Sequence, residues 1–241
     1  DRRQRQMCIR DRSYSEYLKN KFPPKEEFVK RMEALIGKAD AKKFFEISYT
    51  QTPSSIRCNT LKMQPEALKK RLVGYGWKVS QPFKEFPEAM VIVGAKPGEI
   101  GNSKEHLLGY FYVQEISSML PHFVLEPKPG ELLLDLCASP GSKTTQAAAM
   151  MENSGTIIAN EVSLGRVGIL NANLERCGVS NTIVTRKEGV ACCNALLKKS
   201  HLRFDKILVD APCTGEGTLR KSPRTLEIWN THMIKKIAKT Q

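Results

Sequence analysis

A chain of 241 residues with 41% hydrophobic content can bury one large core or two small ones, and a net charge of +13 favours a polyanionic partner, nucleic acid first. No apolar run approaches the roughly 18 residues of a membrane span, and the arginine-rich start has no apolar stretch of the kind a signal peptide carries. Seven scattered cysteines and four histidines without ligand spacing argue against a disulfide framework or a zinc site and fit a reducing compartment.

Residues 1–13, with five arginines and no apolar period, are expected to be a disordered or foreign tail. Residues 14–120 are expected to form an N-terminal α+β domain. In "FPPKEEFVKRMEALIG", prolines precede a helix with acids in its first turn and Gly37 as its stop. "SSIRCNTLK" alternates like a strand, "QPEALKKRLVGYGW" predicts a helix opened by Pro65, and "EAMVIVG" predicts another strand. This series suggests a small open-sheet module of a kind that often binds RNA. "HLLGYFYVQEISSMLPHFVL" then leads toward a second domain, residues 121–241.

There the pattern changes. "GELLLDLC", "GTIIANE", "NTIVTR" and "FDKILVD" are apolar runs without alternation, separated by helical stretches. That pattern predicts a doubly wound parallel sheet, whose ligands sit at the carboxyl ends of the strands. The first strand leads into "DLCASPGSK", where Gly141 allows close backbone approach ahead of a helix N-terminus. The turn is neither a Walker loop nor a GxGxxG fingerprint. Glu161 follows the second strand, about 20 residues past the glycine turn, placed to accept ribose hydroxyls. Glu188 follows the third strand and Asp210 the fourth. A glycine turn and three strand-end acids without a phosphate cradle describe an adenosine site suited to S-adenosylmethionine.

"DLCASPGSKTTQ", "IIANE", "ANLERCGVSNTIV" and "FDKILVDAPCTGEGTLRKSP" resemble the Nop/Sun (RsmB/Fmu) family of RNA cytosine-5 methyltransferases. The rRNA-modifying members look nearest, and the tRNA-modifying ones follow. "IRCNTLK" and "YFYVQEISSML" match the N-terminal pattern, so the resemblance runs from about Pro23 to Gln241. It implies a Rossmann-like methyltransferase sheet preceded by an RNA-recognition-like module. It also implies S-adenosyl-L-methionine as cofactor and RNA as partner; no metal and no membrane are expected from the residue spacing and run lengths above, and a monomer at a cytoplasmic site (nuclear or nucleolar in a eukaryote) is expected.

By this resemblance Cys137, Ala138, Ser139, Pro140, Gly141, Ser142 and Lys143 line the methionine part of the cofactor. Glu161 holds the ribose, and Glu188 stands by the adenine where the family usually has Asp. Asp210 lies near the methyl group and the target base, and Asp210 with Lys143 polarises the base. Carbon 5 of cytosine is a poor nucleophile until a thiolate adds at carbon 6. In the family that thiolate comes from a Thr-Cys motif on a later strand, which is absent here. The reading therefore expects a truncated methyltransferase domain lacking its C-terminal strands, with Cys213 as the thiol that assists product release. Attack by Cys213 itself is the alternative. Arg220, Lys221 and Arg224 are expected to face RNA phosphates. Two rival readings are an RNA-binding scaffold without catalysis and an amino-methylating enzyme, the latter usually carrying Asn or Asp-Pro-Pro-Tyr where this chain has Asp-Ala-Pro-Cys.

Overall fold

The computed structural model describes residues 14–200 and 202–241; the expected tail at 1–13 lies outside them. The described residues form two compact units, one of residues up to Thr52 with Pro212–Gln241, the other Pro53–Ala211.

The first unit is helical. After helical residues 14–21 come α1 (Glu26–Ile36) and α2 (Lys38–Ser48). Gly37 joins them with φ 80°, a backbone that residues with a Cβ avoid. The unit's core is aromatic: the Phe28 ring lies 4.8 Å from Trp229 and 5.7 Å from Phe45. Trp229 Nε1 donates to Glu216 Oε1 at 2.7 Å, and Lys25 Nζ donates to the Trp229 carbonyl at 2.8 Å. The C-terminal stretch thus packs with the first helices, far from it in sequence.

The second unit holds two four-stranded sheets. The antiparallel one runs β2 (Lys78–Ser80), β3 (Ala89–Val93), β1 (Ser54–Cys58), β4 (Phe111–Val113). Helix α3 (Pro65–Val73) buries Leu68 and Leu72 against Ile56, Met90, Ile92 and Phe111, and α4 (Lys104–Leu107) and α5 (Ile116–Leu125) precede and follow β4 in the chain. Phe111–Val113, expected to lead toward the second domain, instead pairs with β1 as the sheet's fourth strand. Strand β1 does not alternate: Ser55, Ile56, Arg57 and Cys58 are all buried, because this sheet is covered on more than its α3 face.

The parallel sheet has the order β7 (Thr182–Thr185), β6 (Thr156–Asn160), β5 (Leu132–Asp135), β8 (Lys206–Leu208). Leu133 and Ile157 pack on Ala147 and Ala148 of α6 (Ser142–Met150), and Ala159 packs on Leu170 and Leu174 of α7 (Leu164–Cys177). The chain steps outward from β5 to β7 and then returns to the other side of β5. That reversal makes the point between β5 and β8 the switch where such sheets bind ligands. The expected α/β architecture is present; residues 120 and 121, where the sequence predicts a domain boundary, both lie within the helix Ile116–Leu125.

Candidate active site

Strand β5 ends on Asp135, whose side chain is 1% exposed. Its Oδ2 accepts from Thr144 Oγ1 at 2.8 Å, while Oδ1 is buried without a partner. Burial lifts this carboxyl to about 6, against the pull of Thr144 and the Cys137 N–H. Sequence reasoning passed over Asp135 because it sought acids after the strands, not on their last residue.

Cys137–Lys143 then turns into α6. The turn is held by backbone: Leu136 N–H donates to Leu208 O at 3.0 Å, Ala138 N–H to Asn160 O at 2.9 Å, and Gly141 N–H to Ala138 O at 2.8 Å. Gly141 has φ 102°, and a Cβ there would lie 3.1 Å from Leu170 Cδ1. Ser139 Oγ donates to Arg166 O at 2.9 Å, and Arg166 Nη2 returns to Ser139 O at 2.6 Å. Pro140 is exposed, whereas Ala138, Ser139 and Gly141 are buried. The Cys137 thiol is raised by burial and then by the negative fields of Asp135, Glu161 and Asp210. Burial and carboxylates at three strand tips therefore hold this thiol protonated rather than poised to attack.

At the end of β6, Asn160 knits the edge. Its Nδ2 donates to Leu136 O and Lys187 O, and its Oδ1 accepts from Thr185 Oγ1 and Lys187 N–H. Glu161 is 3% exposed. Its Oε1 accepts from Ser163 N–H at 2.9 Å, and its Oε2 pairs with Arg166 Nη1 at 3.2 Å. Carboxylate oxygens offer two lone pairs each, so capacity remains for further donors.

Glu188 is exposed and caps α8 (Gly189–Ser200): its Oε2 accepts from Ala191 N–H at 3.0 Å. The amides of Ala191 and Val190 hold this carboxyl below its ordinary value. Asp210, just past β8, is 56% exposed on its side chain and meets Lys143 Nζ at 2.6 Å. The structure thus joins the glycine turn, Lys143, Glu161 and Asp210 along one sheet edge. Cys213 stands three residues further along the chain, exposed, in the helical unit. Among the basic residues expected to meet RNA, Arg220 donates to Gln51 O at 2.9 Å and Arg224 lies 3.8 Å from Glu227.

Residues 122–241 match the family model described as 16S rRNA methyltransferase RsmB/F, and residues 24–116 match the N-terminal domain of 16S rRNA methyltransferase RsmF. The chain belongs to the RsmB/F methyltransferase family. This family chain is 46% identical over 191 residues to ribosomal RNA small subunit methyltransferase F of Pectobacterium carotovorum subsp. carotovorum, covering 78% of itself and 38% of that protein. It is 43% identical to the protein of the same name from Shewanella sediminis, covering 81% of itself and 41% of the relative. The chain thus spans about two fifths of the length of these curated relatives. A methyltransferase homologue from Pyrococcus horikoshii shares its fold with TM-score 0.71 and 33% identity, over 88% of this chain and 67% of that one.

Proposed function

We propose that this RsmB/F-family chain binds S-adenosylmethionine at the carboxyl edge of its parallel sheet and serves methylation of carbon 5 of cytosine in RNA, with small-subunit rRNA as substrate. The observation that carries this reading is that the strand-end carboxylates Asp135, Glu161 and Asp210 are each tied to the Cys137–Lys143 turn or the helix it opens, through Thr144, Arg166 and Lys143 respectively. The names of the curated relatives support rRNA, and the charge of +13 suits a polyanion. The bacterial origin of those relatives supports action in the cytoplasm. Among the described residues, no helix is long and apolar enough to cross a membrane.

The residues present fit the cofactor. Asp135 Oδ1 is a buried acceptor without a donor, and Glu161, with one partner on each carboxylate oxygen, keeps free lone pairs. Cys137 to Lys143 would line the methionine part, Glu161 would take the ribose hydroxyls, and Glu188 would stand beside the adenine. When bound, the cofactor supplies a methyl carbon electrophilic enough for carbon 5 of a thiol-activated cytosine. Asp210, oriented by Lys143 at 2.6 Å, would face the base and hold its amino group or ring nitrogen. Cys213 is assigned to product release.

Bisulfite sequencing of rRNA from cells lacking the gene tests the whole reading. One small-subunit cytosine should lose protection; unchanged rRNA with a lost tRNA signal would move the substrate to tRNA. In the protein as its gene encodes it, Cys213→Ala should accumulate a covalent enzyme–RNA adduct on a denaturing gel. Lost methylation without an adduct would make Cys213 the attacking thiol.

A further inference from the structure

Arg57 sits mid-strand on β1, opposite Ala89 on one side and Tyr112 on the other. An arginine at that place in an alternating strand is expected to face water, yet it is 1% exposed. Its guanidinium leaves the antiparallel sheet and reaches the first turn of α6. Nη1 donates to the Ser142 carbonyl at 2.7 Å and to Gln114 Oε1, and Nη2 donates to Thr145 Oγ1 at 2.8 Å. The guanidinium lies 5.7 Å from the centre of the Tyr112 ring, and the Tyr112 hydroxyl donates to Pro140 O at 3.3 Å. Gln114 continues the network to Gln146 Oε1 at 3.0 Å.

All of these hydrogen-bond acceptors are neutral oxygens, and Arg57 Nε is buried without a partner. Burying a cation without a counter-charge is costly, and its hydrogen bonds to these oxygens offset that cost. An arginine fork fixes its partners in direction as well as distance. Here two of the three partners, Ser142 and Thr145, lie in the first turn of α6, and Tyr112 makes a further contact to Pro140 inside the loop. Gly141 at φ 102° has little intrinsic rigidity of its own. The cation also lies beneath a helix N-terminus, where unpaired N–H groups already favour a carboxylate.

We infer that Arg57 is a positioning residue: from the antiparallel sheet it clamps Ser142 and Thr145 and so sets the Cys137–Lys143 turn for the amino-acid end of the methyl donor. The inference rests on the proposed cofactor reading. It gives the N-terminal sheet a role in cofactor binding in addition to any contact with RNA.

The test compares two ligands by calorimetry on the whole chain. S-adenosylmethionine carries the amino-acid end; methylthioadenosine has the same adenine and ribose but lacks it. Arg57→Lys keeps the charge and loses the fork, and Thr145→Val removes one acceptor at matched volume should the arginine variant fail to fold. Each should weaken S-adenosylmethionine by about tenfold or more, as for loss of a charge-assisted hydrogen bond, and methylthioadenosine by less than about twofold. In the ligand-free chain, hydrogen exchange at residues 142–146 should quicken in both variants while residues 156–160 keep wild-type rates. Equal weakening of both ligands, or unchanged exchange at 142–146, overturns the inference. If the wild-type chain takes up neither ligand, the cofactor reading falls, and this inference with it.

Discussion

The two sheets of the second unit solve the same problem in opposite ways. In the parallel sheet, the strands are apolar runs and polarity is concentrated at their tips, where backbone hydrogen bonds such as Ala138 to Asn160 hold the loops. Asp135, Glu161 and Asp210 stand at or just past those tips, where the proposed cofactor would sit. In the antiparallel sheet, polarity lies inside the strand: Ser55 and Arg57 are buried on β1, and Ser55 Oγ donates to Gln114 O at 2.7 Å. One sheet gathers its polar groups at an edge; the other buries them within a strand to anchor its neighbour. A sheet buried on one face can alternate, whereas a sheet covered on both must satisfy every polar group internally.

The junction between the sheets should be the most fragile place. Gly109 has φ 72°, and a Cβ there would lie 1.8 Å from the Arg176 carbonyl. Asn59 Nδ2 donates to the Gly109 and Cys177 carbonyls, and Lys62 Nζ to the Arg176 carbonyl, at the same seam. Gly109→Ala should lose more than about 3 kcal/mol in urea melts, or give no soluble protein. A near-wild-type melt would mean that the sheets are not locked there.

Asp135 comes next. Its folded carboxyl holds a proton up to about 6, against an ordinary 3.8. Between those values the folded chain binds more protons than the unfolded one. Stability should therefore fall as pH rises from about 4 to about 6, by on the order of 3 kcal/mol, and stay flat above. Asp135→Asn should remove that slope in melts run across the range. A wild-type profile that rises through the same window would contradict the buried, half-satisfied carboxyl.

Gly141→Ala strains a left-handed position and crowds Leu170, which should cost about 1–2 kcal/mol. The fold should survive while the turn shifts, so affinity for the methyl donor should suffer more than the melt. The Lys143–Asp210 pair stands at the bottom. Asp210 is more than half exposed, so Asp210→Asn should change stability by less than about 1 kcal/mol. A larger loss would give this pair a structural role beyond the one assigned.

The parallel sheet was legible because its strands are unbroken apolar runs, largely buried in the central β5 and β6 and partly exposed in the edge strands β7 and β8, and its glycine turn and strand-end acids could be read in register. Asp135 and Asn160 were harder. They end strands and read as strand residues, and only their partners reveal them as organisers. Arg57 was hidden for the opposite reason: "SSIRC" alternates like a one-faced strand, and the covering element, α6, lies 85 residues away along the chain. The pairing of Trp229 with Phe28 was likewise invisible, because no local pattern signals a contact between two helical stretches so far apart. Glu188 kept its place at a strand end, while its capping of α8 came from the structure alone.

The central claim is that adjoining strand tips form one binding edge for the methyl donor. Calorimetric titration of the chain with S-adenosylmethionine, wild type beside Glu161→Ala, tests it most directly. One saturable site should appear in the wild type and weaken by about 10- to 100-fold in the variant, as expected for hydrogen bonds lost to a charged acceptor. Absence of binding in the wild type, or equal affinity in a folded Glu161→Ala, would contradict it.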